Sequence, residues 1–140
     1  MSCVWKGIAD GLYNTLGIKL TKEKLYDIIK KKNMKTTDML WNDGKLTEKN
    51  LEENFKHIKT LNGITGGYLC STCDPLLLLV GQIYKISIQH QYCDTIIEYA
   101  NVKSIKKMMV YSNNHHFWAD KNYKNNYMER HVKTKKKYTK

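Results

Sequence analysis

MSCVWKGIADGLYNTLG, residues 1–17, opens the chain and predicts an amphipathic helix at the start of the fold. The apolar residues of this stretch recur at helical spacing and form one stripe; they are Val4, Trp5, Ile8, Ala9, Leu12, Tyr13 and Leu16. Ser2 is a favourable N-cap, and Gly17 is a natural stop after the last turn. Cys3 therefore falls in the first turn, where free N–H groups and the helix dipole favour the thiolate, the nucleophilic form of cysteine. The alternative is that Cys3 is only a small residue near the terminus.

Length and composition predict one ordinary domain. A chain of 140 residues is long enough to bury a core without metals or disulfides. The first ten residues include Trp5, Lys6 and Asp10, unlike a signal peptide, and the longest apolar run, 76–80, is far shorter than a membrane span. We therefore expect a cytoplasmic protein with no membrane association and with its four cysteines reduced.

The net charge of +11 raises the possibility of nucleic-acid binding, but its distribution weakens that interpretation. Residues 121–140 hold +7 of the charge, and every basic residue of the chain except Arg130 is lysine. Surfaces that read phosphate and bases tend to favour arginine. We expect a domain over 1–120 and a basic C-terminal tail over 121–140, through which nucleic acid could bind as a secondary partner.

Periodicity and turn residues predict helices first and short strands later. The predicted helices are 21–33 with Thr21 as cap, 46–62 with Thr47 as cap, and one that starts at Asp74-Pro75 and runs through 76–80. Between them, 34–46 and the glycine-containing segment 62–67 are expected to be turns and loops. The predicted strands are YKISIQ (84–89), TIIEYA (95–100) and KMMVY (107–111). This order predicts an α+β domain.

A thiolate needs a histidine to act as a general base, and the chain offers five of them: His57, His90, His115, His116 and His131. The segment MMVYSNNHHFWAD, residues 108–120, runs from a strand into a polar turn and then back into apolar sequence. A histidine at that re-entry lies on a rigid edge, which suits a catalytic base. Since neighbouring strand residues face opposite sides, only one of His115 and His116 can face the thiol. The alternative is that both are turn residues next to two aromatic core residues, Phe117 and Trp118.

In order, these features resemble the ovarian-tumour (OTU) family of cysteine proteases, which remove ubiquitin or ubiquitin-like proteins. SCVWKGIADGLY is similar to the start of the family's catalytic helix, GITGGYL to its Gly-Gly step, and IYKISI to the strand that follows; His116-Phe117 is similar to its His-aromatic pair. The resemblance spans 2–120. It implies a small papain-like α+β fold, with helices followed by a short-stranded sheet.

The resemblance also implies a chemistry. Cys3 is the nucleophile, His116 is the general base, and Phe117 packs the imidazole in place. The pair forms a thioester with the C-terminal glycine of ubiquitin and needs no cofactor. Small size and a bias towards Lys, Asn and Ile suit a viral protein that acts in the host cytoplasm.

Two positions depart from the family pattern. The family usually carries Asp or Asn two residues after the histidine, where this chain has Trp118; we expect Asn113, Asn114 or Asp120 to orient the ring, or a dyad to suffice. The family also carries an Asp three residues before the cysteine, next to the oxyanion hole. Here we expect the backbone N–H groups of Ser2 and Cys3 to supply part of that hole.

A different constellation predicts a metal site. Cys70-x2-Cys73 and His90-x2-Cys93, with sixteen residues between the pairs, have the spacing of a tetrahedral zinc site. The intervening sequence, however, has the pattern of a core helix and a strand, and cysteines are often simply buried. The alternative function is thus a zinc-braced, basic binding module that contacts nucleic acid or a partner protein. A structural zinc could also brace an OTU-like domain.

Overall fold

The structure, a computed structural model, describes residues 3–42, 44–59, 74–113 and 116–119. Within these ranges lie four helices: α1 (Cys3–Leu16), α2 (Lys22–Lys31), α3 (Glu48–Lys59) and α4 (Pro75–Tyr84). The strands described are β1 (Met39–Trp41), β2 (Gly44–Lys45), β3 (Ser87–Tyr92), β4 (Thr95–Asn101), β5 (Lys107–Ser112) and β6 (Phe117–Trp118). They form one mixed sheet in the order β2-β1-β4-β3-β5-β6, with β3 and β5 parallel and the other pairs antiparallel. The α+β prediction is confirmed.

The helix ends follow from local capping chemistry. The side chain of Thr21 accepts a hydrogen bond from a backbone N–H in the first turn of α2. The side chain of Thr47 accepts one from the backbone N–H of Asn50 in α3, and the side-chain oxygen of Asn50 accepts one from the backbone N–H of Thr47. Asp74 caps α4 in the same way, directly before the proline. Gly17 has a φ of +73° just beyond α1, as expected for a glycine stop. These predicted helix boundaries are confirmed.

The predicted strand start at Tyr84 is wrong, because α4 continues to that residue. The helix ends on Lys85, whose φ of +55° is left-handed, and the N–H of Ile86 bonds back to the carbonyl of Gly81. Gly81 does not end the helix. A β-carbon there would overlap the side chain of Met39, so the glycine allows a close contact between α4 and β1.

The segment 34–46 contains two short strands where only turns were expected. The left-handed φ of Asn42 confirms a turn, but β1 and β2 pair on either side of it. β1 also pairs with β4, so that Met39 lies opposite Asn101. A three-residue strand has too little periodicity to be visible in sequence, and here it is formed by long-range pairing.

The sheet has one buried face, which α1 and α4 cover. α1 packs on β5 and β6, and α4 packs mainly on β4. The buried face carries Ile88, His90, Ile97, Tyr99, Asn101, Met108, Val110 and Ser112. The opposite face is more exposed, with Ile96 at 52% and Met109 at 38%. The N-terminus of α1 is thereby held beside the β6 edge of the sheet.

Several predictions concern residues outside the described ranges and stay predictions. They are the N-cap at Ser2, the loop glycines in 62–67, the domain boundary at 120 and the tail over 121–140. None of the helices in the described part of the chain combines the length and the apolar character needed to span a bilayer.

Candidate active site

A pocket of about 330 Å³ lies between the N-terminus of α1 and the start of β6. It brings together Cys3 and His116, which stand near the two ends of the described sequence. Cys3 is half-buried and His116 is exposed. The residues that line the pocket are Cys3, Lys6, Gly7, Asp10, His116, Phe117 and Trp118. Of the predicted site residues, the pair expected to do the chemistry is the pair that shares this pocket.

One face of α1 forms a wall of the pocket. Cys3, Gly7 and Asp10 are spaced by three or four residues, so they lie one above another on the helix. On the same face, the ammonium of Lys6 lies 2.9 Å from the carboxylate of Asp10. Both partners are well exposed, at 72% and 41%, so this ion pair adds little to stability. Both charges line the pocket that contains Cys3.

Two glycines let α1 lie directly on the sheet. A β-carbon at Gly7 would overlap the ring of Phe117, and one at Gly11 would come within 2.7 Å of the sulfur of Met108. Because these two positions carry no side chain, the first turns of α1 pack closely against β5 and β6. Sequence reasoning missed this role, although two glycines four residues apart inside an apolar helix are a usable signal, since each costs about 1 kcal/mol relative to alanine.

The backbone of His116 is fixed by Asn113. The side-chain oxygen of Asn113 accepts a hydrogen bond from the N–H of His116 at 2.9 Å. The N–H of Asn113 donates to the carbonyl of His116, also at 2.9 Å. These two bonds join the end of β5 to the start of β6 and set where the imidazole enters the pocket. Asn113, expected at most to orient the ring, thus holds the main chain of His116.

One aromatic ring, that of Trp118, packs beside His116. The indole of Trp118 lies 6.3 Å from the imidazole of His116, ring centre to ring centre, at an angle of 47°. Trp118 in turn stacks on Tyr111, its partner on β5, at 6.1 Å and 21°. Partial burial raises the pKa of the Tyr111 hydroxyl. Phe117, expected to pack the imidazole of His116, has its ring 5.6 Å from the buried His90.

His90 is a second, deeply buried histidine. It is 0% exposed on β3, and its Nε2 lies 2.6 Å from the hydroxyl of Ser112. Burial lowers its pKa from 6.5 to about 4, because the charged form loses its hydration. His90 is therefore neutral in the core at physiological pH.

The structure describes two of the four predicted zinc ligands, His90 and Cys93. His90 lies in the core, whereas Cys93 is exposed at the turn between β3 and β4. Cys70 and Cys73 lie outside the described residues. Over 3–42, 44–59, 74–113 and 116–119, no cluster of three or more His, Cys, Asp or Glu side chains could hold a metal ion. The four-ligand site stays a prediction.

Ser2, Asn114, His115 and Asp120 also lie outside the described residues. The share of Ser2 in the oxyanion hole and the choice of Asn114 or Asp120 as the orienting residue therefore stay predictions. Within the described residues, Asp10 is the acidic side chain that lines the pocket.

Neither a family model nor a curated protein nor a solved structure matches this chain. The resemblance to the OTU family, drawn from short motifs, therefore stays a prediction as well.

Proposed function

We propose that this protein is a thiol hydrolase in which Cys3 is the nucleophile and His116 the general base. The proposal depends on one observation: a single pocket is lined both by the first residue of α1, Cys3, and by the residue before β6, His116. A cysteine at a helix start beside a histidine at a sheet edge has the arrangement that activates a thiol.

The chemistry has two halves. His116 takes the proton of the Cys3 thiol, and the thiolate attacks the carbonyl carbon of the scissile amide. The resulting oxyanion accepts hydrogen bonds from backbone N–H groups at the start of α1, which have no acceptor within the helix. The tetrahedral intermediate collapses as the protonated His116 gives its proton to the leaving amine, which leaves a thioester on Cys3. Water, deprotonated by His116, then cleaves the thioester and releases the carboxylic acid.

The proposed substrate is a conjugate of ubiquitin or a ubiquitin-like protein, and the proposed place of action is the cytoplasm. The choice of substrate rests on the order of short motifs that resemble the OTU family.

The test is covalent capture by ubiquitin that carries a thiol-reactive group at its C-terminus. We expect the probe to label the wild-type protein and not Cys3→Ala. Cys93 provides a matched control, because it is also a free cysteine and is more exposed than Cys3 but lies at a strand turn. Cys93→Ala should label like the wild type. Labelling that survives in Cys3→Ala, or that is lost in Cys93→Ala, would contradict the proposal.

A further inference from the structure

The residue two positions after His116 is Trp118, and its ring faces the imidazole. The two ring centres are 6.3 Å apart, within the range of packed aromatic rings, and both residues line the pocket that contains Cys3. Trp118 occupies the position at which the OTU pattern has a hydrogen-bonding side chain.

We propose that Trp118 is the positioning residue that orients the imidazole of His116 towards Cys3. The proposal rests on the proposed function, in which Cys3 and His116 react as a pair. An imidazole can be oriented by an acceptor that bonds one ring nitrogen, or by a rigid wall that leaves the ring few rotamers. Trp118 provides a wall of this second kind.

The indole can serve as a wall because it is itself held in place. Trp118 is only 9% exposed. It lies opposite Tyr111 in the β5–β6 pair and stacks on its ring at 6.1 Å and 21°. Such cross-strand aromatic pairs restrict both side chains. The order of contacts is therefore Tyr111 on β5, Trp118 on β6, and then the imidazole of His116.

An oriented imidazole has a measurable consequence for the thiol. When a histidine is aligned with a cysteine, the thiolate persists well below the pH at which a free cysteine ionises. The alkylation rate by a neutral reagent then shows a shoulder at low pH, whereas at high pH every thiol is ionised and the pair no longer matters. A substitution that removes the low-pH shoulder and leaves the high-pH rate unchanged therefore identifies a residue that orients the pair. Substitution of a residue that only stabilises the fold should not have this combination of effects.

The experiment measures alkylation of Cys3 by iodoacetamide from about pH 5 to about pH 9, in a Cys93→Ser background and followed on the Cys3 peptide by mass spectrometry. His116→Ala defines the profile without the pair. We expect Trp118→Leu to lose the shoulder, with a rate about tenfold below wild type near pH 6 and equal to wild type near pH 9. Trp118→Phe keeps an aromatic wall and should recover most of the shoulder, within about threefold of wild type.

Tyr111→Leu keeps Trp118 but removes the ring on which it stacks, and we expect a shoulder weakened by a few-fold, on the order of 3. This variant decides the question if Trp118→Leu fails to fold. A wild-type shoulder in folded Trp118→Leu, or in Tyr111→Leu if the former does not fold, would overturn the proposal. So would loss of the shoulder in Asn114→Ala or Asp120→Ala with Trp118→Leu unaffected. A wild-type protein with the same profile as His116→Ala would instead contradict the Cys3–His116 pair itself.

Discussion

The ring of Phe117 lies directly against the backbone of Gly7, so that no β-carbon fits between α1 and β6 at this point. Gly7 is one helical turn after Cys3, and Phe117 is the residue after His116. This contact therefore sets the separation of the two pocket walls that carry the nucleophile and the base.

Gly7→Ala should push α1 away from β6. Alanine favours a helix by about 1 kcal/mol relative to glycine, but its β-carbon would overlap the Phe117 ring, and overpacking of this kind costs about 1–3 kcal/mol. We expect a modest net loss of stability in urea unfolding and a slower rate of labelling at Cys3 by the ubiquitin probe. Gly11→Ala is the matched control, because its β-carbon would overlap the flexible side chain of Met108 and would come only within ordinary contact distance of Ala119, one turn farther from the site. Equal labelling rates in Gly7→Ala and wild type would contradict the role of this contact.

His90 should make the fold sensitive to mild acid. Its pKa is about 4 in the folded protein against 6.5 ordinarily, so the unfolded chain binds a proton first as the pH falls. The free energy of unfolding should therefore decrease from about pH 6.5 to about pH 4, by on the order of 3 kcal/mol, and this contribution should then level off. Urea unfolding at several pH values measures it. His90→Gln keeps a polar group near Ser112 without the titration and should flatten the curve; an unchanged slope in that variant would assign the effect to other groups.

Asn113 should matter through the backbone of His116. Asn113→Ala removes the side-chain acceptor of the His116 N–H, which we expect to cost about 1 kcal/mol and to slow labelling of Cys3 as the entry to β6 loosens. Asn113→Asp retains an acceptor of the same shape and should keep most of the labelling rate. Thermal unfolding and probe kinetics on the two variants give the comparison. If both variants label alike, the bond does not position the histidine.

The fold was predictable where its cause is local. Thr21 and Thr47 reveal helix starts, and the alternation of apolar residues in 84–89 reveals the strand that the structure places at 87–92, because capping and side-chain periodicity depend on neighbouring residues. β1 was not predictable, since its three residues become a strand only by pairing with β4. Gly81 depends on the fold in the same way: its small size allows a contact with Met39 on β1, which no local pattern reveals.

The sequence predicted the two residues that meet in the candidate pocket, Cys3 and His116, but not the contacts around them. Cys3 stands out because it falls in a first helical turn, and His116 because it follows a polar turn into apolar sequence. The close approach at Gly7 and the packing of Trp118 on His116 depend on how α1, β5 and β6 meet in space. No local pattern specifies such contacts, so they were found only in the structure.

Metal content separates the two functional interpretations. A protease of the proposed kind needs no metal, and Nε2 of His90, one of the predicted zinc ligands, already lies within hydrogen-bonding distance of Ser112. We therefore expect purified protein to contain far less than one zinc per chain and Cys70→Ser to leave the melting temperature unchanged. One zinc per chain, together with a lower melting temperature in Cys70→Ser, would favour the zinc-braced binding module.

Turnover of ubiquitin bearing a fluorophore at its C-terminus shows whether Cys3 and His116 act as a catalytic pair. We expect wild type to release the fluorophore and His116→Ala to lower kcat by about 100-fold or more, the usual scale for loss of a general base. The sequence predicts that only one of His115 and His116 faces the thiol, so we expect His115→Ala to have a mild effect. Undiminished turnover in His116→Ala, or no turnover by the wild-type protein, would contradict the account.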